Sequence, residues 1–193
     1  MNLDIVRNNE ALSQFFKFEI LNVCKKRERF LQNHLQESIL DEDVGYLSAL
    51  LTLFAGQGIE FKRRWTVTPM VTYIQLSQEG SLKLLEFAEF ALFRIGFFWL
   101  NLGKHETLRK GFIEYGRQAY IDMSKREEFN VPQRQIFRTS GLNFVAYAHI
   151  ISEIEESTKK LDVETLLALY REYKTPGAVT ALIKRGVPLE LLD

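Results

Sequence analysis

Between Ser81 and Ser124 an aromatic-loaded segment is followed by a second helical one, and nothing else in the chain constrains the fold as much. Leu84, Leu85, Phe87, Phe90, Leu92, Phe93, Ile95, Phe97, Phe98, Trp99 and Leu100 crowd the first segment, which carries Gly96 near its middle. A helix that is apolar on nearly every side has to be enclosed by other elements, or it would leave large apolar faces in water. A central helix over about 81–101, ended by Gly103, is therefore expected as the hub of one core. Leu82 to Leu102 has the length of a membrane span, but Lys83, Glu86, Glu89 and Arg94 lie within it. Central charges cost about 2.5–3.5 kcal/mol each on insertion, so no membrane insertion is expected.

The rest of the composition agrees with a soluble globular chain. With 193 residues it can bury one sizeable core, and 46% hydrophobic against 26% charged residues is not the balance of a disordered protein. Fifteen Phe, seven Tyr and two Trp should end in the core or at an interface. Lys plus Arg equals Asp plus Glu at 25 each, so no long-range field concentrates nucleic acid or anionic lipid. A lone Cys24 excludes an internal disulfide and any all-cysteine zinc site. Asp4, Arg7 and Glu10 interrupt the N-terminus, which does not read as a signal peptide, so a cytoplasmic location is the default expectation.

Helical spacing recurs along the chain. Leu12, Phe15, Phe16, Ile20, Val23 and Cys24 mark a helix from about Asn9 to Lys26, followed by a partly helical stretch to Leu40. Another opens near Asp41, with Glu42 and Asp43 in its first turn, and uses Val44, Leu47, Leu50, Leu51 and Phe54 before Gly56. The stretch from Gly56 to Pro69 reads as an ordered loop, and Pro69 suits the first turn of a short helix. After the central helix comes one from about His105 to Lys125, then a long one from Pro132 to about Thr158. Asp162 is a plausible N-cap for a helix over 163–173, and Thr175 and Pro176 open a last one that stops at Gly186. The chain thus reads as a single all-α domain, an irregular bundle of about seven to eight helices with a C-terminal pair over about 162–186 packed on the central one.

The run Ala88-Glu89-Phe90-Ala91-Leu92-Phe93-Arg94-Ile95-Gly96-Phe97-Phe98 resembles the "G-D-x-A-L-F-x-x-G-F-F" signature of an uncharacterised family of helical bacterial proteins. Tyr46, Leu47, Leu50, Leu51 and Phe54 resemble its earlier "Y-L-x-x-L-L-x-x-F" helix, and Tyr115, Gly116, Ala119 and Tyr120 its later one. Arg185-Gly186-Val187-Pro188 is similar to its usual ending, so the resemblance runs loosely from Leu40 to Pro188. Ala88-Glu89 stands where the family has Gly-Asp. The resemblance implies a helical fold and a bacterial protein, and it implies no activity.

Candidate chemistry is sparse. Glu89, set among Ala88, Phe90, Leu92 and Phe93, is a carboxylate whose pKa burial would raise, either as a proton donor lining a cavity or as a satisfied structural acid. Arg94, about 140° around the helix, is a poor partner for it; Tyr115, Arg117 or Tyr120 suit better. Glu89, Trp99, Tyr115 and Tyr120 are the residues expected to line any ligand pocket. His149 and Glu153 share a helix face but lack further ligands, so no metal is expected, and no cofactor fingerprint occurs. Cys24 lies beside Lys25, Lys26 and Arg27, which would lower its pKa, although its apolar stripe fits a small core residue. Lys25 and Lys26, with Lys62, Arg63 and Arg64 beside Trp65, form two short basic-aromatic clusters that could make a modest anion patch if they meet. Their brevity argues against nucleic acid. The preferred reading is a non-catalytic interaction or regulatory module that forms a homodimer, with a possible further protein partner. An apolar-ligand binder and a cofactor-free enzyme using Glu89 are the alternatives.

Overall fold

The computed structural model describes residues 3–57, 68–97 and 106–160, together with single residues at 163, 167, 182 and 187. Its elements are α1 (Leu3–Lys26), α2 (Glu28–His34), α3 (Asp41–Gln57), α4 (Pro69–Glu79), α5 (Ser81–Phe97), α6 (Glu106–Ser124), α7 (Val131–Leu142) and α8 (Phe144–Lys160). The fold is all-α, with no strand among the described residues. The expected helices over 163–173 and 175–186 lie outside those residues apart from the helical positions 163, 167 and 182, and the loop around Trp65 lies outside them.

Local chemistry explains several of the helix starts. Asp43 occupies the third position of α3, and its Oδ2 accepts the Leu40 backbone N–H at 2.9 Å, half of a capping box completed from the acidic side alone. Pro69 opens α4, where a missing N–H costs nothing. Asn130 and Gln133 cap α7 reciprocally: the Asn130 side chain accepts the Gln133 N–H at 2.9 Å, and the Gln133 side chain accepts the Asn130 N–H at 3.1 Å. A single residue, Gly80, separates α4 from α5 at φ +123°, a conformation open in practice only to glycine.

Helix α5 lies at the centre and packs against α3, α4, α6 and α8, while α7 rests on α6 and α1 on α3 and α8. From Phe87 to Gly96 it is buried except for half-buried Glu89 and Arg94. In its first turn Leu82 and Lys83 face solvent. Phe98, Trp99 and Leu100 lie outside the described residues. Close helix approach depends on missing side chains: a Cβ on Gly96 would come 2.6 Å from the Ile151 Cβ, and one on Gly116 would come 2.8 Å from the Ala91 Cβ. Helices α8 and α6 therefore meet α5 nearly backbone to backbone at these two crossings.

The single helix expected from Pro132 to Thr158 is two. Asn143 separates α7 from α8, although its own N–H still reaches the Thr139 carbonyl at 2.8 Å and its carbonyl accepts the Tyr147 N–H at 2.9 Å. The reason is tertiary. The buried Asn143 side chain accepts the backbone N–H groups of Gln36 and Glu37 at 2.9 and 3.2 Å and donates to the Glu37 carbonyl at 2.8 Å. Arg138 adds an ion pair to Glu37 at 2.8 Å, so the non-helical segment 35–40 is fastened to the α7–α8 junction.

Candidate functional site

Glu89 projects from the middle of α5 toward α3 and α6, whose nearest polar groups are phenols. Tyr46 of α3 donates its hydroxyl to Glu89 Oε1 at 3.0 Å, and the Tyr120 hydroxyl of α6 lies 2.9 Å from that of Tyr46. With Glu89 ionised, Tyr46 spends its one proton on the carboxylate, and Tyr120 is then the donor in the second bond. The result is a chain, Tyr120 to Tyr46 to Glu89, that ties three helices through one carboxylate. Burial pushes the Glu89 pKa from the ordinary 4.5 to about 7, with nearby Glu86 adding to the rise and the Tyr46 hydrogen bond opposing it. Burial also drives both phenols well above their usual value, so they stay protonated throughout the physiological range. Glu89 is thus a buried carboxyl that can gain or lose a proton near neutrality.

The other residues singled out in the sequence disperse. Tyr115 is half-buried with its ring against Tyr73, centroids 5.5 Å apart, while the Tyr73 hydroxyl donates to Asp122 at 2.6 Å. Arg117 reaches the Gly141 carbonyl at 3.3 Å rather than Glu89. Arg94 is no partner of Glu89 either: its guanidinium lies over the rings of Phe90 and Phe112, 5.5 and 5.0 Å from their centroids. Tyr46 is the direct partner, and sequence reasoning missed it. One signal was present, a tyrosine beginning the Leu47, Leu50, Leu51 stripe, whose hydroxyl needs a partner once the ring is drawn inward. Trp99, and with it one proposed pocket residue, lies outside the described residues.

Lys25 and Lys26 are exposed in the last turn of α1. Lys62, Arg63 and Arg64, the other half of the expected anion patch, lie outside the described residues. Next to these lysines Cys24 lines an apolar groove of about 220 Å³ with Leu21, Leu31, Leu35, Ile39, Leu40 and Val44. Burial pushes its thiol pKa up, against the lowering that basic neighbours would have given: Lys25 and Lys26 are solvated and Arg27 is engaged elsewhere.

Arg27 is engaged by Glu153, Nη2 to Oε1 at 2.7 Å, across the opening of a second cavity of about 290 Å³ between α1, α2 and α8. His149 lines this cavity beside Phe30, with ring centroids 4.8 Å apart, and His34 stacks on the Phe30 ring at 4.0 Å. The His34 Nδ1 bonds the Phe30 carbonyl at 2.8 Å. Burial, and secondarily the neighbouring His34, hold the His149 imidazole below its ordinary pKa, opposed by Glu153. Among the described residues no three His, Cys, Asp or Glu side chains gather as a metal would require. No described helix is long and apolar enough to cross a membrane.

No family model matches the chain, and neither the curated proteins nor the solved structures contain a match to it.

Proposed function

We propose that this chain is a non-catalytic helical interaction module that pairs with a second copy of itself through the outer face of α1 and the segment 35–40. The observation that carries this reading is the exposure of Leu21 at 53% and Leu40 at 50% in the apolar groove beside Cys24, with Phe18, 63% exposed, one turn before Leu21 on α1. Phe18 and Leu21 are three residues apart on one helix face, so they form a continuous apolar edge. Large side chains left in water next to a ready groove favour a partner that removes them from it.

Two further points favour a second copy as that partner. A net charge of zero imposes no mutual repulsion between copies. Exposed Lys25 and Lys26 end α1, while exposed Asp41 and Glu42 begin α3 on the other side of the groove. A two-fold axis through the groove would set the lysines of one copy against the acids of the other, twice over. In this reading Glu89 is a polar tie among α3, α5 and α6.

Sedimentation equilibrium in the micromolar range tests the reading. The expected mass is twice 22.5 kDa for the native chain and 22.5 kDa for a Phe18→Lys, Leu21→Lys double variant. Both positions are exposed, so the variant should keep its helical circular dichroism. A native chain that stays at 22.5 kDa, or a variant that stays dimeric, overturns the proposal.

A further inference from the structure

The cavity between α1, α2 and α8 has an apolar floor and a charged rim. Val23, Leu31 and Ile150 form the floor and are all buried, and the half-buried rings of Phe30 and His149 make one wall. At the rim stand Arg27 and Glu153, with side chains 46% and 32% exposed and a single bond between them, from Nη2 to Oε1. A guanidinium carries five N–H donors and a carboxylate two acceptor oxygens, so this one bond leaves most of the capacity of both groups turned toward water or toward a guest.

The charge balance at the rim selects the guest. A simple carboxylate would satisfy Arg27 and be repelled by Glu153, and a simple amine would meet the reverse. A molecule bearing an ammonium and a carboxylate one carbon apart satisfies both, and it replaces the existing pair without stranding either partner. Opening that pair costs little, because half-exposed ion pairs contribute little. The floor requires the rest of the molecule to be apolar. About 290 Å³ is the small end of ligand-site volumes, which fits a metabolite rather than a drug-sized molecule. From these features we infer that the cavity is a binding site for a free amino acid with an apolar side chain: its carboxylate on Arg27, its ammonium on Glu153, and its side chain against Val23, Leu31 and Ile150. The site shares Leu31 with the groove assigned to self-association but is completed by His149, Ile150 and Glu153 of α8, which that groove does not use.

Calorimetric titration with L-leucine and L-phenylalanine tests the inference, alongside 4-methylpentanoate and isopentylamine, which are leucine lacking its ammonium and its carboxylate. The amino acids should give saturable heat, and each analogue should bind at least about tenfold more weakly, as loss of a charged hydrogen bond requires. Methyl resonances of Val23 and Ile150 should shift with the same saturation. Arg27→Gln and Glu153→Gln, both near the surface, should each weaken leucine binding by about tenfold or more while leaving the circular dichroism unchanged. Equal affinity for leucine and its analogues, leucine binding that leaves the Val23 and Ile150 methyls unmoved, or no binding in the millimolar range overturns the inference. So does unchanged leucine affinity in both variants.

Discussion

Replacing Glu89 by glutamine should make the protein more stable at alkaline than at acid pH relative to the native chain, and the size of the effect follows from the burial of one carboxylate. In the folded chain the Glu89 pKa rises from the ordinary 4.5 to about 7, chiefly because burial disfavours its charged form. Between those values the folded state holds a proton that the unfolded state has released, so stability falls as pH rises. The contribution is intact below 4.5, declines through the interval, and levels off above 7. Full ionisation therefore costs about 3 kcal/mol, most of it incurred between about pH 5 and about pH 8.

Glutamine at position 89 keeps an oxygen for the Tyr46 hydroxyl and carries no charge at any pH, so the variant lacks this penalty. Its amide also adds donors that need partners, but that cost is the same at both pH values and cancels in the comparison. Urea unfolding of both proteins at the two pH values gives the relevant quantity, the change in stability difference with pH. Expressed as melting temperature, each kcal/mol of that change is roughly 2–4 °C for a chain of this size. Tyr46→Phe supplies the control, because it removes a hydrogen bond that favours the ionised form and should move the Glu89 midpoint upward in carboxyl carbon NMR. A stability difference between native and Glu89→Gln proteins that is independent of pH would refute the reasoning, since it would mean that Glu89 ionises as if in water.

Other substitutions probe the packing that surrounds this chain of groups. Gly96→Ala places a methyl 2.6 Å from the Ile151 Cβ and 3.0 Å from the Ala148 carbonyl, so α5 and α8 must separate, and unfolding should report a loss of about 1–3 kcal/mol. Asn143→Ala strands the N–H groups of Gln36 and Glu37 and should cost about 2–4 kcal/mol; amide exchange at these two positions should accelerate more than exchange in the α5 core. Cys24 should react with a thiol-directed disulfide more slowly than free cysteine, because burial raises its pKa, and more slowly still as protein concentration rises if the groove closes in a dimer. Rapid labelling at every concentration would contradict both the burial and the pairing.

The helices were legible where their cause is local. Acids ahead of the Val44, Leu47, Leu50, Leu51 stripe announce α3, Pro69 announces α4, and the aromatic run announces a central helix. These signals act within a turn or two, so one segment suffices to read them. The α7–α8 junction was not legible for the opposite reason. Apolar periodicity continues through Ser140, Phe144 and Tyr147, and Asn143 resembles any other tolerated polar residue until its side chain is seen to hold a backbone segment more than 100 residues earlier. The two helices then rest on different supports, α7 mainly on α6 and α8 mainly on α5, although their hydrogen-bond ladder almost runs on.

Glu89 shows the same division within one side chain. That it would be drawn inward, and that its pKa would rise, follows from its neighbours along α5, a local property. Which group satisfies it depends on where α3, α5 and α6 cross, and the α5–α6 crossing is set by small residues, Ala91 against Gly116. Bulk at that contact would move α6 away from α5, and the Tyr120 hydroxyl, at 2.9 Å from Tyr46, has little distance to lose before its bond fails. The hydroxyl chain is therefore coupled to the tightness of that glycine crossing. A mutation at Gly116 that never touches Glu89 should still lengthen the chain and, by removing hydrogen-bond support from the ionised form, raise the Glu89 pKa further. Carboxyl carbon NMR of a Gly116→Ala protein measures that coupling directly, and an unchanged Glu89 midpoint would show that the two features are independent.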